Sequence, residues 1–208
     1  MKILPITVIF VNIGTIEPVI KLYDDIRETI KDYFDFKHYL ILTDKDVKHD
    51  RYEIKYLQEM TLKERDFFFI RDVWKHIKTS HFLLVHLDSH IINPEAWDDN
   101  WMSYDCIAAP WADGFVGCGG FSLRSVKLAH HVSQKYGNLT TLNYHEDGYY
   151  SNLLNKEPIL NYPTKEEALK FSQETVYDPN VMPFSIHDAK IPDQYDTYNY
   201  WLNIIKNK

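Results

Sequence analysis

Apolar runs alternate with amphipathic stretches through the first half of the chain, and this alternation predicts an α/β fold with a mostly parallel sheet. Residues 4–11, 38–42 and 82–87 are continuous apolar runs, which is typical of strands buried on both faces. Residues 17–33 and 62–77 carry apolar side chains at helical spacing. We therefore expect a central sheet flanked by helices.

The remaining pattern predicts shorter strands and a more helical second half. Strands are predicted at residues 52–56, 106–109 and 181–186, and helices at residues 94–102, 124–136, 145–154, 163–171 and 193–205. Thr164 is placed to cap the helix at 163–171. Since no repeat or linker interrupts the chain, we expect one domain over residues 1–208. Its nucleotide-type half would span about residues 1–90 and its substrate-type half about 91–208.

Net charge and cysteine content limit the kinds of molecule that the protein is expected to bind and the compartment in which it is expected to work. The formal net charge is −7 and the pI about 5.8, which argues against a nucleic-acid groove or an anionic membrane surface. An anionic ligand would then need a metal ion or helix N-termini to offset its charge. Cys106 and Cys118 form neither a metal pattern nor a disulfide framework, so a reducing, cytoplasmic location is expected. The apolar residues 1–13 are too short to span a bilayer, and we expect no transmembrane segment.

Polar residues follow each of the three long apolar runs, where ligands bind in open α/β sheets. Asn12 follows the first run, Thr43 and Asp44 the second, and Asp88 the third.

The third run carries the strongest signal for a metal site. Asp88 has an imidazole two residues away on each side, and an extended chain would place His86, Asp88 and His90 on one side. A carboxylate there can hold a divalent cation that bridges phosphate oxygens, and imidazoles suit manganese or zinc. The alternatives are that Asp88 caps a following helix and that His86 is a satisfied core histidine.

Four of the seven glycines fall between Gly114 and Gly120, next to Trp111 and Phe121. Glycine weakens ordinary strands and helices, so the cluster indicates a local requirement. One reading is a ligand that approaches the backbone at Gly119 and Gly120 against an aromatic wall. The other is a tight turn with a β-bulge.

Three later residues complete the candidate chemistry. Glu146 and Asp147 begin a predicted helix, where acids most often interact with the helix dipole, although a carboxylate there can also act as a general base. His187 is a lone histidine, a residue that is most often structural. Glu174 is a further acid after a predicted helix and looks buried.

These segments, taken in order, resemble a small family of GT-A-type glycosyltransferases. The matching segments are Leu83-Leu-Val-His-Leu-Asp88, Ala108-Ala-Pro-Trp111, Gly117-Cys-Gly-Gly-Phe-Ser-Leu-Arg124, Glu146-Asp147, Phe171-Ser-Gln-Glu174 and Phe184-Ser-Ile-His187. The resemblance runs from about residue 80 to 188, whereas the first eighty residues fit only in their rhythm of strands and helices. It implies a single GT-A-like (Rossmann-like) domain that transfers a sugar from a nucleotide-sugar donor to a hydroxyl acceptor, such as a glycan.

The resemblance also implies roles for the metal and the base. Asp88 corresponds to the second acid of the Asp-x-Asp metal motif, and His187 to the late metal-binding histidine, with Mn²⁺ or Mg²⁺ as the ion. Asp147 matches the base of inverting members. His86 occupies the place of the first acid, which is a departure from the family pattern.

The donor would lie against residues from both halves of the chain. On fold analogy Asn12, Thr43 and Asp44 face the nucleoside. Gly119 and Gly120 would let the donor sugar approach the backbone, with Trp111 as a wall.

Two other functions are compatible with the sequence. A metal-dependent nucleotidyltransferase would normally carry a Gly-rich basic loop after its first strand, and residues 12–18 hold one glycine and no Lys or Arg. A non-catalytic sugar-binding or scaffold protein would suit the acidic surface, the many tyrosines and the departure at His86.

Overall fold

A six-stranded mixed sheet forms the centre of the protein. The computed structural model describes residues 1–12, 14–187, 190–191 and 195–196. The strands of the described part are β1 Lys2–Asn12, β2 Phe34–Thr43, β3 Glu53–Tyr56, β4 His81–Val85, β5 Ser89–Ile91, β6 Cys106–Ala108, β7 Phe121–Ser125, β8 Ser172–Gln173, β9 Ser185–His187, β10 Lys190–Ile191 and β11 Tyr195–Asp196. Its α-helices are α1 Glu17–Ile30, α2 Leu62–Arg71, α3 Val126–Tyr136, α4 Glu146–Leu154 and α5 Lys165–Phe171.

The strand order of the large sheet is β3-β2-β1-β4-β7-β6. The first four strands run parallel, β7 is antiparallel to β4, and β6 is antiparallel to β7. Parallel neighbours end at the same edge of a sheet, and Asn12 at the end of β1 is in register with Thr43 at the end of β2. The predicted α/β class, with a mostly parallel sheet flanked by helices, is confirmed.

Alternation along β1 explains why this strand is apolar throughout. Ile6 and Val8 face the cluster that includes α1, whereas Ile9 and Val11 face the cluster built from α2, α3 and α4. Helices therefore cover both faces of the strand, and each fully buried aliphatic side chain contributes about 1.5–3 kcal/mol.

Side-chain caps set the starts of three helices. Thr61 caps α2 in a capping box with Glu64, Ser125 caps α3, and Thr164 caps α5 as predicted. The helix predicted over 62–77 ends at Arg71, and a separate 3₁₀ turn follows at Val73–His76.

The helix predicted at residues 94–102 is wrong. The segment forms two 3₁₀ turns, Pro94–Ala96 and Asp99–Ser103. Asp98 between them is extended, and its side chain accepts a hydrogen bond from the backbone N–H of Asn100. This local side-chain bond competes with helical pairing.

Strand β7 replaces the start of the helix predicted at 124–136. All five residues of β7 are buried between β4 and β6, and the helix begins only at Val126. The charged Arg124 hid the strand in the sequence, because its guanidinium points into the protein and not to solvent.

A three-stranded sheet with the order β5-β9-β8 packs beyond the end of β4. The strand predicted at 82–87 ends at Val85, and the strand predicted at 181–186 is observed as Ser185–His187. Residues 195–196 form a strand with 190–191 where a helix over 193–205 was predicted, and the rest of that prediction lies outside the described residues.

Within the described residues, no helix combines the length and apolar character that a membrane crossing requires.

Candidate functional site

Polar side chains gather at the carboxyl ends of β1 and β2. The side-chain amide of Asn12 donates to the carbonyls of Gly14 and Thr15 at 3.1 and 3.0 Å, and the N–H of Gly14 donates to Asp44 Oδ1 at 3.2 Å. Gly14 has φ +120°, a conformation that favours glycine. The structure therefore brings Asn12, Thr43 and Asp44 together, and two of them hold the loop that follows β1 through their side chains.

A group of three possible metal ligands lies beyond the end of β4. One ligand atom from each of His86, Asp88 and His187 lies within 4.8 Å of the others. His187 Nε2 is 3.3 Å from Asp88 Oδ1, and the two imidazole rings are 5.5 Å apart. The side chain of Asp88 remains 55% exposed, so its carboxylate is open to a ligand from solvent.

Ser89 explains how the fold assembles this group. Its hydroxyl accepts from the N–H of His86 at 2.9 Å and donates to the carbonyl of Gly120 at 3.0 Å. In the antiparallel pairing of β5 and β9, Ser89 also lies opposite His187. This role could not be predicted from the sequence, because an isolated serine is compatible with any turn.

The predicted grouping of His86, Asp88 and His90 on one side is wrong for His90. The chain turns between β4 and β5, with the N–H of Ser89 bonded to the carbonyl of His86 at 3.1 Å. Because the backbone is not extended there, alternation does not carry across it. His90 instead lines a groove beside α1.

The charges of the group act on each other. Burial opposes protonation of His187, but Asp88 and Glu174, the latter 3.4 Å from Nδ1, outweigh it and raise the pKa of His187 to about 9. Burial, reinforced by His187, lowers the pKa of His86 to about 4. The bond to His187 also lowers the pKa of Asp88. Glu174, which looked buried in the sequence, is thus a neighbour of the group.

Arg65 is a candidate site residue that sequence reasoning missed. It lies on α2, and its charge contributes to lowering the pKa of His86. Its Nε is buried, and no described residue accepts a hydrogen bond from that atom. A cation whose charge acts on His86 favours an anionic ligand at this group.

The glycines between residues 114 and 120 differ in what lies beside their backbone. A Cβ on Gly120 would lie 2.2 Å from His86 Nδ1 and 2.3 Å from His187 Nε2. A Cβ on Gly117 would lie 2.0 Å from Trp111 Nε1, so the indole packs against Gly117. At Gly119 the nearest atom would be Glu174 Oε2 at 3.8 Å. Packed side chains thus require glycine at positions 117 and 120, whereas the backbone at Gly119, like that at Gly114, has open space beside it.

A buried ion pair fixes the glycine segment against α4. The guanidinium of Arg124 donates to both carboxylate oxygens of Glu146 at 2.8 and 3.2 Å, donates to the carbonyl of Cys118, and lies 4.4 Å from the ring centre of Tyr150. Glu146 lies in the first turn of α4, and its carboxylate is taken by Arg124. Asp147 follows directly, half-buried, with Oδ1 accepting from the N–H of Gly148 at 2.7 Å.

Comparison with known proteins gives the family. Residues 46–187 match the family model described as "Protein of unknown function (DUF5672)", which is more than half of the chain. The chain belongs to this family. No curated protein sequence matches it significantly. Among solved structures, it is similar to the galactosyltransferase LgtC in complex with donor and acceptor sugar analogs, with 12% identity, a TM-score of 0.48, and coverage of 97% of this chain and 95% of that chain.

Gly120→Ala is expected to destabilise the protein by about 1–3 kcal/mol, because both imidazoles must move to admit the new methyl group. Gly119→Ala is the matched control, since its methyl group would make only an ordinary contact with Glu174. Urea unfolding measures both. Equal stability of the two variants would contradict the packing described here.

The metal-free protein is expected to lose stability as pH rises from 6.5 to about 9. The folded state holds the proton of His187 more tightly than the unfolded state, so this contribution is full below pH 6.5 and lost as pH passes about 9. Urea unfolding in chelator at several pH values measures the slope. His187→Gln should flatten it, and an unchanged slope in this variant would refute the assignment.

Glu146→Gln is expected to cost about 3–5 kcal/mol of unfolding free energy, because it leaves the charge of Arg124 buried without its partner. Glu28→Gln, which breaks the exposed pair with Lys31, is the control and should leave the unfolding free energy nearly unchanged. Chemical denaturation compares them. A similar small cost for both would show that the buried pair is not structurally important.

Proposed function

We propose that the protein is a glycosyltransferase that moves a sugar from a nucleotide-sugar donor to a hydroxyl acceptor, with inversion and with a divalent metal ion. The observation that carries the proposal is the convergence of Asp88 and His187 beyond β4, at the same sheet edge as the polar ends of β1 and β2. Ligands of open α/β sheets bind at this edge. The ordered segments of the sequence support the same reading.

The leaving group would meet positive charge from two sources. Asp88 and His187 would hold Mn²⁺ or Mg²⁺, which when bound supplies charge at the diphosphate as the glycosidic bond breaks. Arg65, whose charge acts on His86, would add a second cation on the same side. Both would act on charge that develops in the transition state.

The nucleoside would lie against Asn12, Thr43 and Asp44. The side chains of Asn12 and Asp44 already fix the loop after β1, so this wall is formed before the donor arrives. The donor sugar would approach the backbone at Gly119, flanked by Gly120 and Trp111. On this reading, the nucleotide-binding half is about residues 1–90, and the half that binds donor sugar and acceptor is about residues 91–208.

Asp147 would act as the base. Its carboxylate would take the proton of the acceptor hydroxyl while that oxygen forms the bond to the anomeric carbon. The bond from this carbon to the diphosphate oxygen breaks in the same step, and its electron pair leaves with the diphosphate. The pair of Arg124 and Glu146 would hold Asp147 in place relative to the glycine segment.

A non-catalytic sugar-binding protein is the second candidate, and His86 at the place of the first family acid favours it. Such a protein would bind the donor without turnover. Donor hydrolysis or transfer therefore separates the two functions.

Nucleotide-sugars are expected to raise the melting temperature of the protein in a metal-dependent way. UDP-, GDP-, dTDP- and CMP-sugars are each screened with and without Mn²⁺, because a ligand that binds the folded state stabilises it by mass action. A shift for one nucleotide class identifies the donor base. No shift with any donor would contradict the transferase proposal.

Asp147→Asn is expected to lower kcat by about 10²–10⁴-fold while leaving donor binding intact, since the amide cannot accept the proton. Asp113→Asn, an exposed carboxylate in the turn after Trp111, is the control and should keep full turnover. Transfer is followed by release of nucleoside diphosphate. Full turnover in Asp147→Asn would remove this residue from the role of base.

A further inference from the structure

His86 takes part in a donor set that two imidazoles and one carboxylate can offer to a single ion. His86 Nδ1 and His187 Nε2 both lie against Gly120, within 2.3 Å of the position that a Cβ would occupy. Asp88 Oδ1 is 3.3 Å from His187 Nε2. The missing side chain at Gly120 therefore allows the two nitrogens to converge beside the carboxylate.

The ring of His86 has no competing role in the described part of the chain. No described residue forms a hydrogen bond to either of its ring nitrogens, whereas its backbone N–H is fixed by Ser89 at 2.9 Å. The sequence also allowed His86 to be a core histidine with satisfied hydrogen bonds. Among the described residues, its ring has no such partner.

Glu174 is a carboxylate beside the second ring nitrogen of His187, at an ion-pair distance, and no described residue forms a hydrogen bond with that buried nitrogen. Its Oε2 lies 3.4 Å from Nδ1 of His187, which leaves Nε2 directed at Asp88. Metal-bound histidines commonly donate their second ring N–H to a carboxylate, and that contact sets the orientation of the ring.

We propose that His86 is a third metal ligand and that it makes the site select transition-metal ions over Mg²⁺. Mg²⁺ prefers oxygen ligands in octahedral geometry and keeps several waters, whereas imidazole nitrogen favours later first-row ions. Two histidines and one carboxylate leave further positions open for ligand oxygens. The inference rests on the metal role in the proposed function, and it does not depend on sugar transfer.

The test titrates the protein alone with Co²⁺ and with Mg²⁺ by calorimetry, and follows Co²⁺ by its visible absorption. The wild type should bind Co²⁺ more tightly and give the ligand-field spectrum of nitrogen coordination. His86→Asp should lower the ratio of Co²⁺ to Mg²⁺ affinity by about tenfold or more, because one nitrogen donor becomes oxygen. His90→Asp, on the next strand and outside the group, should leave the ratio unchanged.

The outcomes decide the proposal even where a variant does not fold. An unchanged ratio in His86→Asp would overturn it, as would a wild type that binds Mg²⁺ as tightly as Co²⁺. If the variant does not fold, Zn²⁺ is titrated into ¹⁵N-labelled wild type, and the ring nitrogens of His86 should shift on binding. Unmoved His86 resonances would also overturn it. Because no donor is present, failure of sugar transfer and failure of metal selection are observed separately.

Discussion

The buried ion pair between Arg124 and Glu146 is the constraint on which the site depends. Both charges are removed from water, which is costly unless the geometry is good and the remaining donors are satisfied. Here the guanidinium meets both carboxylate oxygens, the carbonyl of Cys118 and the ring of Tyr150. The pair therefore links the central sheet through β7, the glycine segment and the start of α4 in one rigid arrangement.

That arrangement positions the candidate chemistry on both sides of the glycine segment. On one side the pair places Asp147 in the first turn of α4. On the other, the carbonyl of Gly120 is held by Ser89, which also orders the turn carrying His86 and Asp88. Polar contacts on the two sides of the glycine segment thus hold the start of α4, which carries the proposed base, and the turn that carries His86 and Asp88.

Sequence patterns predicted the parts of the fold in which local and tertiary preferences agree. Strands β1, β2 and β4 are apolar because helices or strands cover them, and Asn12, Asp44 and Asp88 lie at or just beyond their carboxyl ends, as the apolar runs predicted. Strand β7 escaped prediction because its arginine is neutralised by Glu146, a partner 22 residues away. Only the tertiary contact makes a charged residue compatible with that strand.

The candidate site was likewise predictable only in part, because its geometry depends on tertiary contacts. The role of His187 was implied by the family resemblance, but its placement depends on pairing between β5 and β9, which are distant in sequence. His90 was expected in the group because alternation was extended across a turn that the sequence does not mark. Arg65 was missed because an arginine on a helix is usually exposed, and only its buried Nε distinguishes it.

A crystal structure with Mn²⁺ and the nucleotide-sugar that stabilises the protein would show where the metal ion and the donor bind. We expect the anomalous signal of manganese between Asp88 and His187, the base of the nucleotide at the ends of β1 and β2, and the sugar over Gly119. A nucleotide bound elsewhere, such as the groove beside α1 that His90 lines, would contradict this expectation.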